Sequence, residues 1–386
     1  MRWLAKVPGK AVLIGEYAVT DGLPAYAMAV DRYAKVWLEP CSADACQLEA
    51  PQLCADPFFF QLDSNGVVNW DRDHKDWQKV AWTANLIDRL LGGVLDQHLA
   101  ADSKQALMPF RLTIDTSALF LDLPHDDQYD DQFDDQSRPR VKLGLGSSSA
   151  IAVGLFLVLL QHVQQSSRPD DQLLPTPEST LNTLLPVYRE AQNGQGSGID
   201  LAAAIYGGLV VFSNRQSGQC ATEQLRVNSA RWPDSLLLDF AWTGRSASTT
   251  TLLKHYRQWQ QTSPDQATQW NRRARTMLKE TAQALSAEDA DLLVQLLSAY
   301  GRAMSTIGGW MGLDLTPETH LMIMQQAKRL GLAAKPSGAG VGDLALIAGT
   351  DAKAMQQMRD WMSTQGITRV AMNLSPEGAR VERVGR

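Results

Sequence analysis

A glycine- and serine-rich run followed by a long apolar stretch constrains the fold of this chain most. Residues 144–149 read Gly-Leu-Gly-Ser-Ser-Ser, and residues 150–163 are almost wholly apolar, which predicts a buried helix that begins directly after a glycine loop. Glycines let a backbone approach a polyphosphate closely, and the free amides and dipole of a helix N-terminus favour its charge. No Gly-Lys-Ser/Thr follows, so this is not a Walker A loop. A plain glycine turn with a serine N-cap is the alternative interpretation.

Three further glycine-rich segments accompany this loop. Residues 335–343 read Lys-Pro-Ser-Gly-Ala-Gly-Val-Gly-Asp, and residues 194–200 read Gly-Gln-Gly-Ser-Gly-Ile-Asp. Near the start, residues 6–10 read Lys-Val-Pro-Gly-Lys and residues 15–19 read Gly-Glu-Tyr-Ala-Val. Glycine-rich cradles together with a lysine and an aspartate are the parts that phosphoryl transfer needs, because that chemistry depends on positioning and charge neutralisation.

The charge balance excludes one large class of partners. The net charge of -6 over 386 residues disfavours a nucleic-acid binder, which needs a basic surface to displace counterions. An anionic substrate must therefore be held by local positive charge and backbone amides. Three of the four cysteines, Cys41, Cys46 and Cys54, lie close together but match no zinc spacing, so we interpret them as ordinary thiols. The longest apolar stretch, 150–160, is too short to span a membrane, and we expect a cytoplasmic protein.

The order of the predicted elements indicates an α+β fold, because strand-like and helix-like segments mix in both halves of the chain. A polar stretch at 214–219 marks the predicted boundary between two domains, 1–215 and 216–386. Before the phosphate loop, residues 126–136 repeat Asp-Asp-Gln three times. Like charges this dense repel one another, and the run lacks the glycine and closing glutamate of a calcium loop. It predicts a mobile surface loop.

In this order, the four glycine-rich segments resemble those of the GHMP kinases, the superfamily of galactokinase, homoserine kinase, mevalonate kinase and phosphomevalonate kinase. The resemblance runs from Lys6 to about Ile347. Within the superfamily the chain looks most like the phosphomevalonate kinase branch. Tyr17 stands where mevalonate kinases and galactokinases usually have His, and Lys142 precedes the phosphate loop as in that branch. Residues 242–249, Trp-Thr-Gly-Arg-Ser-Ala-Ser-Thr, also resemble a segment typical of it.

The resemblance implies both an architecture and a reaction. It implies a ribosomal-protein-S5-like N-terminal domain and a ferredoxin-like C-terminal domain, with ATP and acceptor meeting between them. The implied reaction is ATP- and Mg²⁺-dependent phosphorylation of 5-phosphomevalonate to 5-diphosphomevalonate, a step of the mevalonate pathway. The implied partners are the two small-molecule substrates, with no nucleic acid or membrane, and the implied assembly is a monomer or homodimer.

The resemblance also implies roles for individual residues. Lys10 and Asp200 would be catalytic, with Lys10 reaching the transferring phosphoryl group. The expected nucleotide-binding residues are Lys142, Gly144, Leu145, Gly146, Ser147, Ser148 and Ser149. The expected acceptor-binding residues are Lys10, Tyr17, Ser197, Gly198, Ser248, Thr249, Ser337, Gly338, Ala339 and Gly340. The expected Mg²⁺ ligands are Ser148 and Glu190.

Each assignment has an alternative. Lys10 could instead be a solvated surface lysine, although Gly9 beside it and the predicted strand after it disfavour that interpretation. Asp200, Ser248 and Thr249 are also candidate helix caps. The rival functions are a mevalonate kinase or other GHMP kinase with an alcohol acceptor, and a non-catalytic GHMP-fold ligand-binding regulator. The presence of Lys10, Asp200 and all the glycine loops disfavours the regulator. A decarboxylase is disfavoured because the chain has no Asn-Leu-Lys-Tyr-Trp-Gly-Lys segment.

Overall fold

The computed structural model describes residues 2–42, 45–62, 67–94, 108–122, 140–167, 174–192, 194, 196–216, 223–245 and 249–385. The acidic run at 126–136 and Ser248 lie outside the described residues. The strands are β1 (Arg2–Ile14), β2 (Ala25–Pro40), β3 (Cys46–Glu49), β4 (Phe58–Leu62), β5 (Val68–Trp70), β6 (Phe110–Asp115), β7 (Phe120–Asp122), β8 (Arg140–Lys142), β9 (Leu209–Gln216), β10 (Glu223–Ala230), β11 (Leu237–Trp242), β12 (Ala333–Ser337), β13 (Leu344–Gly349) and β14 (Arg380–Val384).

The helices carry more of the chain in the second half than in the first. They are α1 (Trp77–Arg89), α2 (Ser147–Ser167), α3 (Pro177–Ala191), α4 (Ile199–Tyr206), α5 (Thr249–Thr262), α6 (Pro264–Ser286), α7 (Ala290–Met311), α8 (Glu318–Arg329) and α9 (Ala352–Thr364). A short 3₁₀ helix at Ala18–Asp21 follows β1, and a π-helical turn at Leu90–Val94 extends α1.

The larger sheet has nine strands and is built around the long pair β1–β2. Its path is β10-β9-β2-β6-β3-β4-β5, with β1 lying against β2 on one side and β14 on the other. The β1–β2 pairing is antiparallel from Trp3 opposite Leu38 to Ile14 opposite Tyr26, with a register shift between Pro8 and Gly9. A bulge bends a strand and redirects its side chains. It occurs immediately before Lys10.

The smaller sheet is antiparallel, in the order β11-β13-β12. Helices α8 and α9 cover one face through a small apolar cluster of their own, and α7 contacts β12 and β13. A third, two-stranded sheet pairs β7 with β8. This mixture of helices and antiparallel-rich sheets confirms the predicted α+β class. The predicted domain division at 215/216 falls within the last two residues of β9, which pairs with β10 in the larger sheet. By strand pairing, the change of sheet comes later, between β10 and β11.

One large apolar core runs through both halves and has α2 at its centre. The core cluster includes Leu13 of β1, Leu155 of α2 and Leu346 of β13, so the two sheets share one interior. Residues Ser147–Gln165 are long and apolar enough to cross a membrane by length and composition, but 89% of that window is buried within the protein. The helix is therefore accounted for by packing inside the molecule, and its apolar sequence is that of a core helix.

Candidate active site

The phosphate loop lies on β1 and is fastened there by Lys10. Residues 143–146 join β8 to α2, and Ser147 is the first residue of that helix. The Lys10 amide donates to the Leu145 carbonyl at 2.9 Å, and the Lys10 Nζ donates to the Gly144 carbonyl at 3.1 Å. Lys10 is therefore bonded to the predicted nucleotide-binding loop through both its backbone and its side chain, rather than being a solvated surface lysine.

Two glycines of this loop have no room for a side chain. Gly144 and Gly146 have φ of +71° and +77°, which side-chain-bearing residues rarely adopt. A Cβ on Gly144 would lie 2.6 Å from the carboxyl group of Asp343, and one on Gly146 would lie 3.1 Å from Lys10 Cγ. The last glycine-rich segment thus packs directly against the phosphate loop, through its final residue.

Charges of both signs meet at this loop. The Lys142 side chain is exposed, yet desolvation by the surrounding protein lowers its pKa. The Asp343 carboxylate opposes that shift and the Lys10 ammonium adds to it. Lys10, Lys142 and Asp343 are therefore near enough to influence one another. Two cations beside free helix amides form a favourable environment for phosphate groups.

A chain of three hydroxyl and carboxyl groups links the start of α2 to α4. Tyr188 Oη donates to Asp200 Oδ2 at 2.6 Å and lies 3.0 Å from Ser148 Oγ. Tyr188 has a single proton, and it goes to Asp200, so Ser148 must be the donor in the second hydrogen bond. Burial raises the pKa of Tyr188 well above its ordinary value, and the Asp200 charge raises it further. Ser148 Oγ therefore keeps its lone pairs available for a ligand.

Asp200 is in the first turn of α4, one residue inside the helix. The N-cap is Gly198, with φ of 94°, and it makes no side-chain cap bond. Asp200 is therefore not an N-cap, and the alternative interpretation is wrong. In the described part of the chain, no hydrogen bond or ion pair joins Asp200 to Lys10. The structure brings both to the phosphate loop by separate contacts, Lys10 directly and Asp200 through Tyr188.

The segment after β1 and the last glycine-rich segment interlock. Tyr17 Oη donates to the Ala339 carbonyl at 2.5 Å. The Ser337 hydroxyl accepts from the Val12 amide and donates to the Val12 carbonyl, both at 3.1 Å. The Gly338 amide donates to Glu16 Oε1 at 3.2 Å. Of the residues predicted to bind the acceptor, Tyr17, Ser337, Gly338 and Ala339 therefore lie together.

Two other predicted ligands, Glu190 and Thr249, make no hydrogen bond or ion pair to this group within the described residues. Glu190 follows Tyr188 by two residues on α3, which rotates it about 200° around the helix. Its side chain is 65% exposed and pairs with Arg89. This placement argues against the predicted Mg²⁺ role of Glu190, because its carboxylate points to the opposite side of α3 from Ser148. Thr249 is exposed as the first residue of α5, and Gly340 packs against Leu315.

Tyr188 is the site residue that the sequence analysis missed. It lies on the buried face of α3 with Leu181, Leu184 and Leu185, so its position in the sequence is that of an ordinary core aromatic residue. The Ser197 hydroxyl accepts a hydrogen bond from the Ile199 amide at 3.3 Å. It lies just before α4 and lines the cavity described below.

The chain resembles a phosphomevalonate kinase along nearly its whole length. It is 25% identical over 406 residues to the phosphomevalonate kinase of Streptomyces sp. (strain CL190), with 96% of each protein covered. No protein-family model matches the chain.

Solved structures share the fold. The Lin0012 protein from Listeria innocua has a TM-score of 0.79 at 20% identity, with all of both chains covered. The Streptococcus pneumoniae phosphomevalonate kinase, in complex with phosphomevalonate and AMPPNP, has a TM-score of 0.70 at 17% identity, covering 96% of this chain and 99% of that chain. Mevalonate kinase and galactokinase structures share the fold as well. The predicted fold and the predicted resemblance are confirmed: the chain shares the fold of phosphomevalonate kinase and mevalonate kinase structures, and it resembles a phosphomevalonate kinase in sequence over nearly its whole length.

Proposed function

We propose that this chain transfers the γ-phosphoryl group of ATP to the phosphate of 5-phosphomevalonate, giving 5-diphosphomevalonate and ADP in the cytoplasm. The observation that supports it most is the pair of lysines, Lys10 and Lys142, beside a glycine loop that opens α2. The full-length similarity to a phosphomevalonate kinase supports the choice of acceptor.

The proposed reaction forms one bond and breaks one. An oxygen of the acceptor phosphate attacks the γ-phosphorus, and the bond from that phosphorus to the β,γ-bridging oxygen breaks, so ADP leaves with the electron pair. A phosphate monoester has a second pKa of about 6 and is mostly ionised at pH 7. It needs no general base. The difficulty is the repulsion between two anions, which Lys10 and Lys142 would offset.

The phosphate loop and the start of α2 would together bind the nucleotide phosphates and Mg²⁺. The amides of residues 144–149 would hold the nucleotide phosphates at the helix N-terminus. Mg²⁺ would neutralise phosphate charge when bound, and Ser148 fits a ligand role because its proton is donated to Tyr188 and its lone pairs are available. Mg²⁺ sites of kinases take one or two protein oxygens, with the rest from phosphates and water. Asp200 accepts the Tyr188 proton, so it would make Tyr188 the acceptor of the hydrogen bond from Ser148.

An ADP-release assay with phosphomevalonate, mevalonate, galactose and homoserine tests the proposal. We expect the highest kcat/KM for phosphomevalonate. A higher value for mevalonate would assign an alcohol acceptor instead. ADP release with none of the four, combined with measurable ATP binding, would favour a ligand-binding regulator.

A further inference from the structure

A cavity of about 590 Å³ next to the active site is lined by three arginines. Arg189 lies on α3, Arg257 on α5 and Arg275 on α6. Residues 19–23, which follow Tyr17, form another wall. No residue of the phosphate loop at 144–149 lines the cavity, so it is separate from the predicted site of the nucleotide phosphates.

The cavity carries a surplus of positive charge in a chain whose net charge is -6. Arg257 and Arg275 are exposed, and neither forms an ion pair or hydrogen bond with any described residue. Asp21, the one acidic residue in the lining, is already engaged: it accepts from Tyr256 Oη at 2.6 Å and from Gln260 Nε2 at 2.9 Å. Guanidinium groups bind carboxylates in a two-pronged geometry.

Two neutral side chains in the lining also have hydrogen-bonding groups that no described residue uses. The Ser197 hydroxyl accepts from the Ile199 amide, and its own proton is donated to no described residue. The Asn214 amide oxygen is buried without a hydrogen-bond partner among the described residues. Buried polar atoms are nearly always paired. The lining therefore has hydrogen-bonding capacity for a polar ligand in addition to its charge.

The cavity and the active site share two stretches of chain. Arg189 directly follows Tyr188, which binds Asp200, and Ser197 precedes Asp200 by three residues. A ligand whose reacting end lies near Lys10 and Asp200 would thus extend toward the arginines with its other end.

We propose that Arg257 and Arg275 bind the carboxylate of the acceptor, so that this cavity selects acceptors that are anionic at both ends. The inference rests on the proposed function, which places the phosphate end at Lys10 and leaves the carboxylate for the cavity. The two arginines determine specificity and take no part in bond breaking.

Titration calorimetry with AMPPNP-saturated protein tests this without turnover. The probes are phosphomevalonate, its carboxamide analogue and mevalonate. Arg257→Met and Arg275→Met are compared with Lys254→Met and Arg273→Met, which remove one exposed positive charge each from the same two helices outside the cavity lining. We expect each cavity variant to raise the Kd of phosphomevalonate about tenfold, the size of one charged hydrogen bond, and each control to change it less than about twofold.

The carboxamide analogue isolates the carboxylate. Wild type should bind it about tenfold more weakly than phosphomevalonate. Each single cavity variant should show a smaller preference for the carboxylate, and the Arg257→Met/Arg275→Met double variant should bind the two ligands equally, because both partners of the carboxylate are gone. Cavity variants that match the controls, or that keep the full preference for the carboxylate, overturn the cavity proposal and leave the proposed function standing. Another outcome is that wild type binds mevalonate but not phosphomevalonate, while the cavity variants lose affinity for mevalonate about tenfold. That result would overturn the proposed acceptor and support the carboxylate site. If wild type binds neither mevalonate nor phosphomevalonate, both the proposed function and the carboxylate site are overturned.

Discussion

Lys335 Nζ donates to Glu16 Oε1 at 2.5 Å inside the protein, where the two side chains are 0% and 3% exposed. The pair joins the segment after β1 to β12 of the smaller sheet. Tyr300 Oη donates to the Glu16 carbonyl at 2.7 Å, so a third element, α7, is tied to the same residue. The last glycine-rich segment therefore starts from a fixed internal ion pair.

Breaking this pair on one side should destabilise the protein strongly. Lys335→Met leaves the Glu16 carboxylate buried without its cation, and we expect the free energy of unfolding to fall by about 3–5 kcal/mol. The double variant Lys335→Met/Glu16→Gln should recover part of that loss, because no uncompensated charge remains. Urea unfolding of wild type, Lys335→Met, Glu16→Gln and the double variant measures both effects. A double variant as unstable as the sum of the single variants would show that the two residues act independently.

Lys10→Met should reduce turnover more than Asp200→Asn. If the acceptor is a phosphate, the reaction needs cations more than a base, so loss of the Lys10 charge should lower kcat about 10²–10³-fold. Asp200→Asn keeps an acceptor for Tyr188 and should cost less. The measurement is kcat with phosphomevalonate at saturating ATP, with circular dichroism to verify folding. A larger loss from Asp200→Asn would indicate general-base catalysis and an alcohol acceptor.

Tyr188→Phe should change the response to Mg²⁺ with little effect on the fold. The variant removes the acceptor that directs the Ser148 proton, so we expect the half-saturating Mg²⁺ concentration to rise about tenfold, as for other residues that orient a metal ligand. Ser148→Ala should also raise the half-saturating Mg²⁺ concentration, and it should lower kcat more than Tyr188→Phe does. Tyr26→Phe is the matched control, since Tyr26 is buried and its hydroxyl makes only a 3.5 Å contact with Leu278. An unchanged Mg²⁺ titration in Tyr188→Phe would count against the role assigned to Ser148.

Acid should destabilise the protein between about pH 6.5 and pH 4. Burial lowers the pKa of His162 and of His320 from 6.5 to about 4. In that interval the unfolded chain binds protons that the folded protein does not, so stability falls as the pH falls, by about 3 kcal/mol per histidine when complete. His320→Gln should flatten the dependence of the urea midpoint on pH, and His255→Gln, at an exposed position, should leave it as in wild type. An equally steep dependence in His320→Gln would contradict this origin.

The sequence predicted the elements that depend on local pattern. The apolar run at 150–163, which predicts a buried helix directly after a glycine loop, lies in helix α2. The four glycine-rich segments predicted the fold, and the structure brings the phosphate loop, Lys10, Tyr17 and the last glycine segment together.

Other features depend on which elements meet, and no local pattern reports that. Tyr188 has the spacing of a core residue, and only the approach of α2 and α4 gives its hydroxyl two partners. Glu190 carries a carboxylate, as metal ligands often do, but its position around α3 directs it toward Arg89. Arg257 and Arg275 are 18 positions apart on separate helices, and their meeting at one cavity follows from the packing of α5 and α6. The polar stretch at 214–219 is typical of a linker and equally of a hairpin turn.

The strand that carries Lys10 has its outer edge covered by β14, with Arg2 opposite Val384 and Lys6 opposite Arg380. During synthesis, β1 leaves the ribosome long before β14, because their paired residues Lys6 and Arg380 are 374 positions apart. The amides and carbonyls on that side of β1 therefore stay solvated, or shielded by chaperones, until β14 has been translated. Pairing over such a sequence separation slows folding. Nascent chains stalled before β14 should consequently be more open to proteolysis near Lys6 than the released protein.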